Sequence, residues 1–347
     1  MRKVECSWDQ EKAETLLAQA DTVHLASTTS DGQPVLRALH AVCVDDLVAF
    51  HGAKAGESKL CLGRKAVVSA EKVVARIPSY FVDPERACPA TTYYESVQAK
   101  GDLVEVIDID QKAKIVEALM QKYQAEGGYV PLEADSPLYK KALKGLLVYG
   151  VRIDEVQGKF NLGQRRKGEE LARIADGLWQ RGGEGDLEAL DKITAARPEE
   201  SLPRALGPAG ARMHCQFGER QITQVVDLLR GTYWNLDVSD HQIATAHRNS
   251  SAWVGSQNAE GEVLGSARAL ADGAKFAWIL DVLVIAQKQS KGIGTALMKM
   301  LLDHPKVRDC RSIGLVTKDA QDFYSRFGFE IVGKHVPSGN HQMLLRR

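Results

Sequence analysis

Gln289-Ser290-Lys291-Gly292-Ile293-Gly294 separates a nearly unbroken apolar run, Trp278 to Ala286, from a helical pattern of Ile293, Ala296, Leu297, Met300 and Leu301. Apolar everywhere but at Asp281, the run reads as a buried strand, and the spacing after it reads as one buried helix face. The chain must therefore pass from strand to helix through a loop stripped of side chains at Gly292 and Gly294. The first helical turn offers unpaired N–H groups and the positive end of the helix dipole. Such a loop suits an anion, a diphosphate above all.

A second signature lies downstream, in Asp319-Ala320-Gln321-Asp322-Phe323-Tyr324-Ser325-Arg326-Phe327-Gly328-Phe329. Ala320, Phe323, Tyr324 and Phe327 recur at i, i+3, i+4, i+7, and Gly328 suits a left-handed helix end. The Gln-x-x-Gly-x-Gly spacing, the strand before it and this second segment together resemble the GCN5-related N-acetyltransferase (GNAT) superfamily, over residues 212–347. The resemblance implies a mixed α/β sheet that takes acetyl-CoA as co-substrate and acetylates a small-molecule amine. It places Gln289, Lys291, Gly292, Gly294, Thr295 and Ala296 on the pyrophosphate. It sets the backbone of Val282 and Val284 along the pantetheine arm and the thioester carbonyl, and Tyr324 beside the sulfur as general acid. A phenol near about 10 holds its proton more tightly than a thiol near about 8.5, so donation requires the two to be matched in the site. Asp281, beside that centre, either acts on the substrate amine or is satisfied by core hydrogen bonds. Trp234 and Trp253 are either core residues or walls of an acceptor pocket.

At 347 residues the chain exceeds what one core usually spans, so two domains are expected. The boundary falls at 182–211, where Gly, Glu, Asp and Pro dominate and Arg197-Pro198, Leu202-Pro203 and Gly207-Pro208 break regular structure. Residues 1–181 then form one domain, 182–211 a linker and 212–347 the other. In the last, Ile222, Val225, Val226 and Leu229 mark a helix, and Ser239 caps a second. Two strands follow, Ala252 to Ser256 and Val263 to Leu270, joined by a turn at Asn258 to Gly261.

The first domain is punctuated like an antiparallel barrel. A helix near Trp8 to Ala20 precedes alternating Val23 and Leu25, a hairpin turn at Ser30-Asp31-Gly32 and strands ending near Val44 and Gly52. Thr92 to Lys100 pairs with Leu103 to Ile107 around Gly101, a helix runs through Ile115, Leu119 and Tyr123, and Leu146 to Ile153 adds a strand. Within this half, Pro34-Val35-Leu36-Arg37, Phe50-His51-Gly52-Ala53 and Gly56-Glu57-Ser58-Lys59-Leu60 follow one another. Their order resembles the pyridoxamine 5'-phosphate oxidase-like split barrels over residues 15–155, most closely the nitroimidazole-resistance reductase branch. The resemblance implies an FMN-binding split barrel with a helical C-terminal extension, an oxidoreductase-like role and a homodimer formed through the barrel. Arg37 suits a phosphate as a planar fork, Lys59 as a point charge and Ser58 as a hydroxyl donor. Phe50 and His51 close the motif strand, where the imidazole is either a hydrogen-bonded structural group or, facing the pocket, stacks on a flavin, orients a substrate or ligates a haem iron.

Forty-five basic and forty-five acidic residues cancel, which argues against a nucleic-acid partner or an anionic membrane surface. The six cysteines lie far apart with no CxxC pair, so neither a zinc site nor a disulfide framework is indicated. Lys3, Glu5, Asp9 and Glu11 leave no apolar signal core, and no run of about 18 apolar residues appears. A cytoplasmic protein is expected. Two functional classes remain: a flavin-binding barrel joined to a working N-acetyltransferase, or a flavin- or haem-loaded redox sensor whose acetyl-CoA domain is idle.

Overall fold

The structure is a computed structural model and describes residues 7–8, 10–197, 202, 205–335 and 340–347. The chain divides into two compact units, residues 1–73 with 92–164, and residues 74–91 with 165–347.

The first sheet contains β1 (Ser7–Trp8), β2 (Val23–Thr28), β3 (Pro34–Leu39), β4 (Val42–Val44), β5 (Leu47–Gly52), β6 (Lys65–Ile77), β7 (Thr91–Val106) and β8 (Leu147–Asn161). Its order is β3-β2-β6-β7-β8-β5-β4, with β1 also on β8, and it curls into an antiparallel half-barrel. Helices α1 (Gln10–Gln19), α2 (Ile109–Tyr123) and α3 (Lys140–Gly145) accompany it. Alternation along β2 and β6 turns Val23, Leu25, Ala66 and Val68 into a core with Phe50, Val97, Leu103 and Val151. Asp108 caps α2 by accepting from the Gln111 N–H.

One expectation fails here. Thr92–Lys100 and Leu103–Ile107 are not a hairpin: Thr91 to Val106 is one strand with a bulge between Lys100 and Gly101. A Cβ on Gly101 would lie 1.7 Å from the Arg152 carbonyl oxygen, so this glycine marks close approach of two backbones rather than a turn.

The second unit adds α4 (Gly168–Arg181), α5 (Asp186–Ala196), α6 (Ile222–Leu229), α7 (Asp240–Arg248), α8 (Ile293–Leu302) and α9 (Gln321–Ser325). Its sheet comprises β9 (Arg212–His214), β10 (Ala252–Gln257), β11 (Val263–Ala271), β12 (Phe276–Val284), β13 (Ser312–Thr317), β14 (Glu330–His335) and β15 (Asn340–Arg346). They lie in the order β14-β15-β13-β12-β11-β10-β9. Only β12 with β13 pairs in parallel among the registered pairs, so the sheet is mixed. The expected cap at Ser239 is present as a reciprocal box with Gln242.

The stretch read as a linker is not a bare connection, since α5 occupies Asp186–Ala196 with Ala189, Leu190 and Ile193 buried. Gly185 there has φ +78°, and a Cβ would meet the Val74 carbonyl oxygen at 1.8 Å. α4 is likewise tied within this unit, Trp179 Nε1 donating to Asp303 Oδ2 at 2.8 Å. Among the described residues no helix is long and apolar enough to cross a membrane.

Candidate functional site

The parallel pairing of β12 with β13 is short. It covers Phe276–Trp278 against Ser312–Gly314 and then stops. β13 runs on to Thr317 against β15, while β12 runs on to Val284 against β11 alone. The Trp278 ring lies so close over Gly314 that a Cβ there would meet it at 2.3 Å, which sets an aromatic wedge where the ladder ends. The strands part beyond it, leaving a cleft of about 780 Å³ lined by β12, the glycine loop, the end of β13 and α9. Among the described residues, the backbone of β12 beyond Trp278 has no strand partner on that side, as a ligand that hydrogen-bonds along a strand requires.

The loop lines the cleft with Gln289, Gly292, Gly294 and Thr295. Gly292 has φ +87° and stands just before α8, whose face Ile293, Leu297, Met300 and Leu301 is buried. Gln289 is exposed, and its amide nitrogen donates to the Val284 carbonyl at 3.1 Å, which ties the loop to the strand. Lys291 and Ala296 are not among the lining residues, whereas Ser290, with φ +59° and no place in the expected set, is.

Val282 and Val284 both line the cleft. Between them and the wedge the strand bulges: Ser266 faces Leu283, Arg268 faces Leu280, and Asp281 takes φ +51°. A non-glycine residue there is strained, and the strain is held by its side chain. Asp281 Oδ2 accepts from Arg268 Nε at 2.6 Å, with the two side chains 9 % and 10 % exposed, and Oδ1 accepts from Trp234 Nε1 at 2.9 Å. The carboxylate, which the sequence leaves either on the amine or in core hydrogen bonds, is engaged on both oxygens at the bulge. Trp253 is core, donating to Ser266 Oγ at 2.8 Å, while Trp234 lines the cleft.

Tyr324 projects from α9 into the cleft and is 9 % exposed. Burial, then Tyr233 and Asp319, push its phenol above the ordinary tyrosine range, so it stays protonated at neutral pH. Gly328 takes φ +87° at the end of this turn, as expected.

In the barrel, Arg37 on β3 pairs with Glu57, which precedes Ser58 and Lys59 in a short turn of helix at Glu57–Cys61. Two segments therefore meet, β3 through Arg37 and the turn that carries Glu57, Ser58 and Lys59. Ser58 Oγ accepts from Tyr149 OH at 2.9 Å, leaving its own proton to donate, and Lys59 is exposed. His51 is exposed at the end of β5. Phe50 is not available to a cofactor: it is fully buried, 5.5 Å from the Tyr149 ring, because every residue of Leu47–Phe50 faces packed structure. The donor set fits a phosphate, with the half-exposed Glu57 carboxylate standing where an incoming anion would meet Arg37.

Residues 9–160 match the family model for pyridoxamine 5'-phosphate oxidase, and residues 222–329 match that of the acetyltransferase (GNAT) family. The chain joins a pyridoxamine 5'-phosphate oxidase-like barrel to a GNAT domain. A stretch of 103 residues is 37% identical to GCN5-related N-acetyltransferase 2, chloroplastic, of Arabidopsis thaliana, covering 26% of this chain and 40% of that relative. The barrel is similar to an FAD and heme binding protein from Mycobacterium smegmatis, at 20% identity and TM-score 0.38, over 49% of this chain and 78% of that one. The GNAT domain is similar to Ard1 from Thermoplasma volcanium, at 21% identity and TM-score 0.35, over 40% of this chain and 98% of that one.

Sequence reasoning missed Tyr233, Ser290 and Asp319 in the GNAT cleft. Asp319 opens the very segment that carries Tyr324, so its presence was visible but its direction was not.

Proposed function

We propose that the GNAT domain transfers the acetyl group of acetyl-CoA directly to the nitrogen of a small amine, and that the barrel binds FMN in an oxidoreductase-like role. The observation that carries the first part is the parting of β12 from β13 between the α8 N-terminus and Tyr324. N–H groups of Gly292, Gly294 and Thr295 hold the diphosphate, and the free edge of β12 pairs with the pantetheine arm. At the bulge, the Val282 N–H stabilises the negative charge that grows on the thioester oxygen. The neutral amine attacks, a C–N bond forms and the C–S bond breaks. The nitrogen loses a proton to water and the departing thiolate gains one from Tyr324, which then recovers a proton from solvent. Burial that raises the phenol raises the thiol too, so the two stay matched only while the cleft is dry.

In the barrel, Arg37, Ser58 and Lys59 hold the FMN phosphate and His51 lies at the rim. Bound flavin would supply redox chemistry between a nicotinamide and a substrate. Leu36 and Leu60, next in sequence to Arg37 and Lys59, are 61% and 62% exposed, which supports a homodimer formed across this face.

Incubating the full chain with acetyl-CoA and a panel of primary amines, read by free thiol and product mass, tests the transferase part. Amide formation supports it. Tight acetyl-CoA binding without turnover on any amine favours a domain that only senses acyl supply.

A further inference from the structure

The Tyr233–Trp234 pair, in the connection between α6 and α7, clasps both parted strands. Trp234 Nε1 donates to Asp281 of β12 at 2.9 Å, and the backbone N–H of Lys318, just past β13, donates to Tyr233 OH at 3.1 Å. The two rings meet edge to face with centroids 4.7 Å apart, each residue is 39% exposed, and both line the cleft. Further along the same connection Leu236 and Val238 are exposed as well. Aromatic side chains anchored by their polar ends lose little freedom on meeting a flat partner, so they form a ready apolar wall.

The charges around the cleft narrow the partner further. Of its two acidic lining residues, Asp281 is occupied by Arg268 and Trp234, and Asp319 has no ion pair among the described residues. Arg326 lines the same cleft, and Lys318 Nζ lies 5.4 Å from the Tyr233 ring centre. One free carboxylate against two cations does not suit a polyamine or an aminoglycoside, which need several acidic partners.

We propose that the acceptor is a primary monoamine with a flat apolar body, which stacks on the Tyr233–Trp234 wall while Asp319 draws in its ammonium group. The inference rests on the transferase reading and adds the substrate class. Asp319 and Tyr324 line the same cleft, five residues apart on one segment.

The test compares benzylamine, butylamine and spermidine as acceptors for the full chain, with folding of each variant followed by thermal melting. Benzylamine should lead in kcat/KM by about tenfold or more. The Tyr233→Ala/Trp234→Ala double variant should bring the three within about twofold, while Trp234→Phe, which keeps a ring, should retain the preference. Asp319→Asn should raise KM for every amine and leave that for acetyl-CoA unchanged. Equal or better use of butylamine or spermidine, or a preference that survives in the folded double variant, would overturn the substrate class but leave the transferase reading standing. Absence of any amide product from protein that binds acetyl-CoA would overturn both.

Discussion

Arg268 donates to Asp281 at 2.6 Å across the β11–β12 hairpin, at the point where β12 bulges. The pair is about nine-tenths buried. Removing one partner strands the other charge in a poorly solvated place, at a cost of about 3–5 kcal/mol, whereas replacing both with apolar residues costs much less. Asp281→Asn should therefore lower the unfolding midpoint markedly, and the Arg268→Met/Asp281→Leu double variant should regain most of the loss. The double variant should lower acetyl transfer, because Trp234 loses its anchor, whereas the single variant keeps an oxygen for Trp234 Nε1. Denaturant melts decide it: a double variant no more stable than the single would show that the loss comes from the missing pair itself and not from a stranded charge.

The glycines of the loop have separable roles. Gly292 has φ +87°, and a Cβ would lie 3.3 Å from Pro208 Cγ, so Gly292→Ala should cost about 1–2 kcal/mol of stability. Gly294 lies inside α8, where a Cβ would meet Phe323 at an ordinary 3.5 Å, so Gly294→Ala should be neutral or stabilising by up to about 1 kcal/mol. It should still weaken acetyl-CoA about tenfold by holding the diphosphate off the backbone. Calorimetric titration of the Gly294 variant checks this, and undiminished affinity would place the diphosphate elsewhere.

His304 makes the fold sensitive to acid. Burial, with help from Lys306 and Arg308, depresses its imidazole to about 4 from an ordinary 6.5, and the Lys306 N–H donates to Nδ1 at 3.2 Å. A histidine depressed on folding contributes stability that is present above about 6.5 and lost as pH falls toward about 4. The full difference is up to about 3 kcal/mol. Melting should therefore drop between pH 7.5 and pH 5, and His304→Gln should reduce that drop. An unchanged slope would exclude this residue as the cause.

The parts of the molecule that were legible in sequence are those set by neighbours along the chain. The strand to Val284, the glycine loop and α8 follow one another, so periodicity and two glycines sufficed. Gly101 and Gly185 misled because each is required by a distant backbone, Arg152 and Val74, and a local reading takes such glycines for turns. α5 was lost to that punctuation. Phe50 was assigned by motif although Leu47–Phe50 is apolar throughout, the pattern of a strand packed on both faces. Asp281 needed its partner thirteen residues away, visible only once β11 and β12 are aligned.

In the barrel, Glu57 occupies the guanidinium that a phosphate would use. Glu57→Gln should free Arg37 and tighten FMN, and Arg37→Ala should weaken it, each by about tenfold. Flavin fluorescence titration reads both. Affinity that falls in Glu57→Gln would mean that the carboxylate supports the ligand rather than competing with it.

The most direct test of the central claim is the initial rate of thiol release with acetyl-CoA and the best amine of the panel both varied, for the full chain and for Tyr324→Phe. Direct transfer within one cleft predicts intersecting double-reciprocal lines, and loss of the proposed acid predicts a fall in kcat of about a hundredfold with acetyl-CoA binding retained. Parallel lines, or a Tyr324→Phe protein as fast as the original, would contradict it.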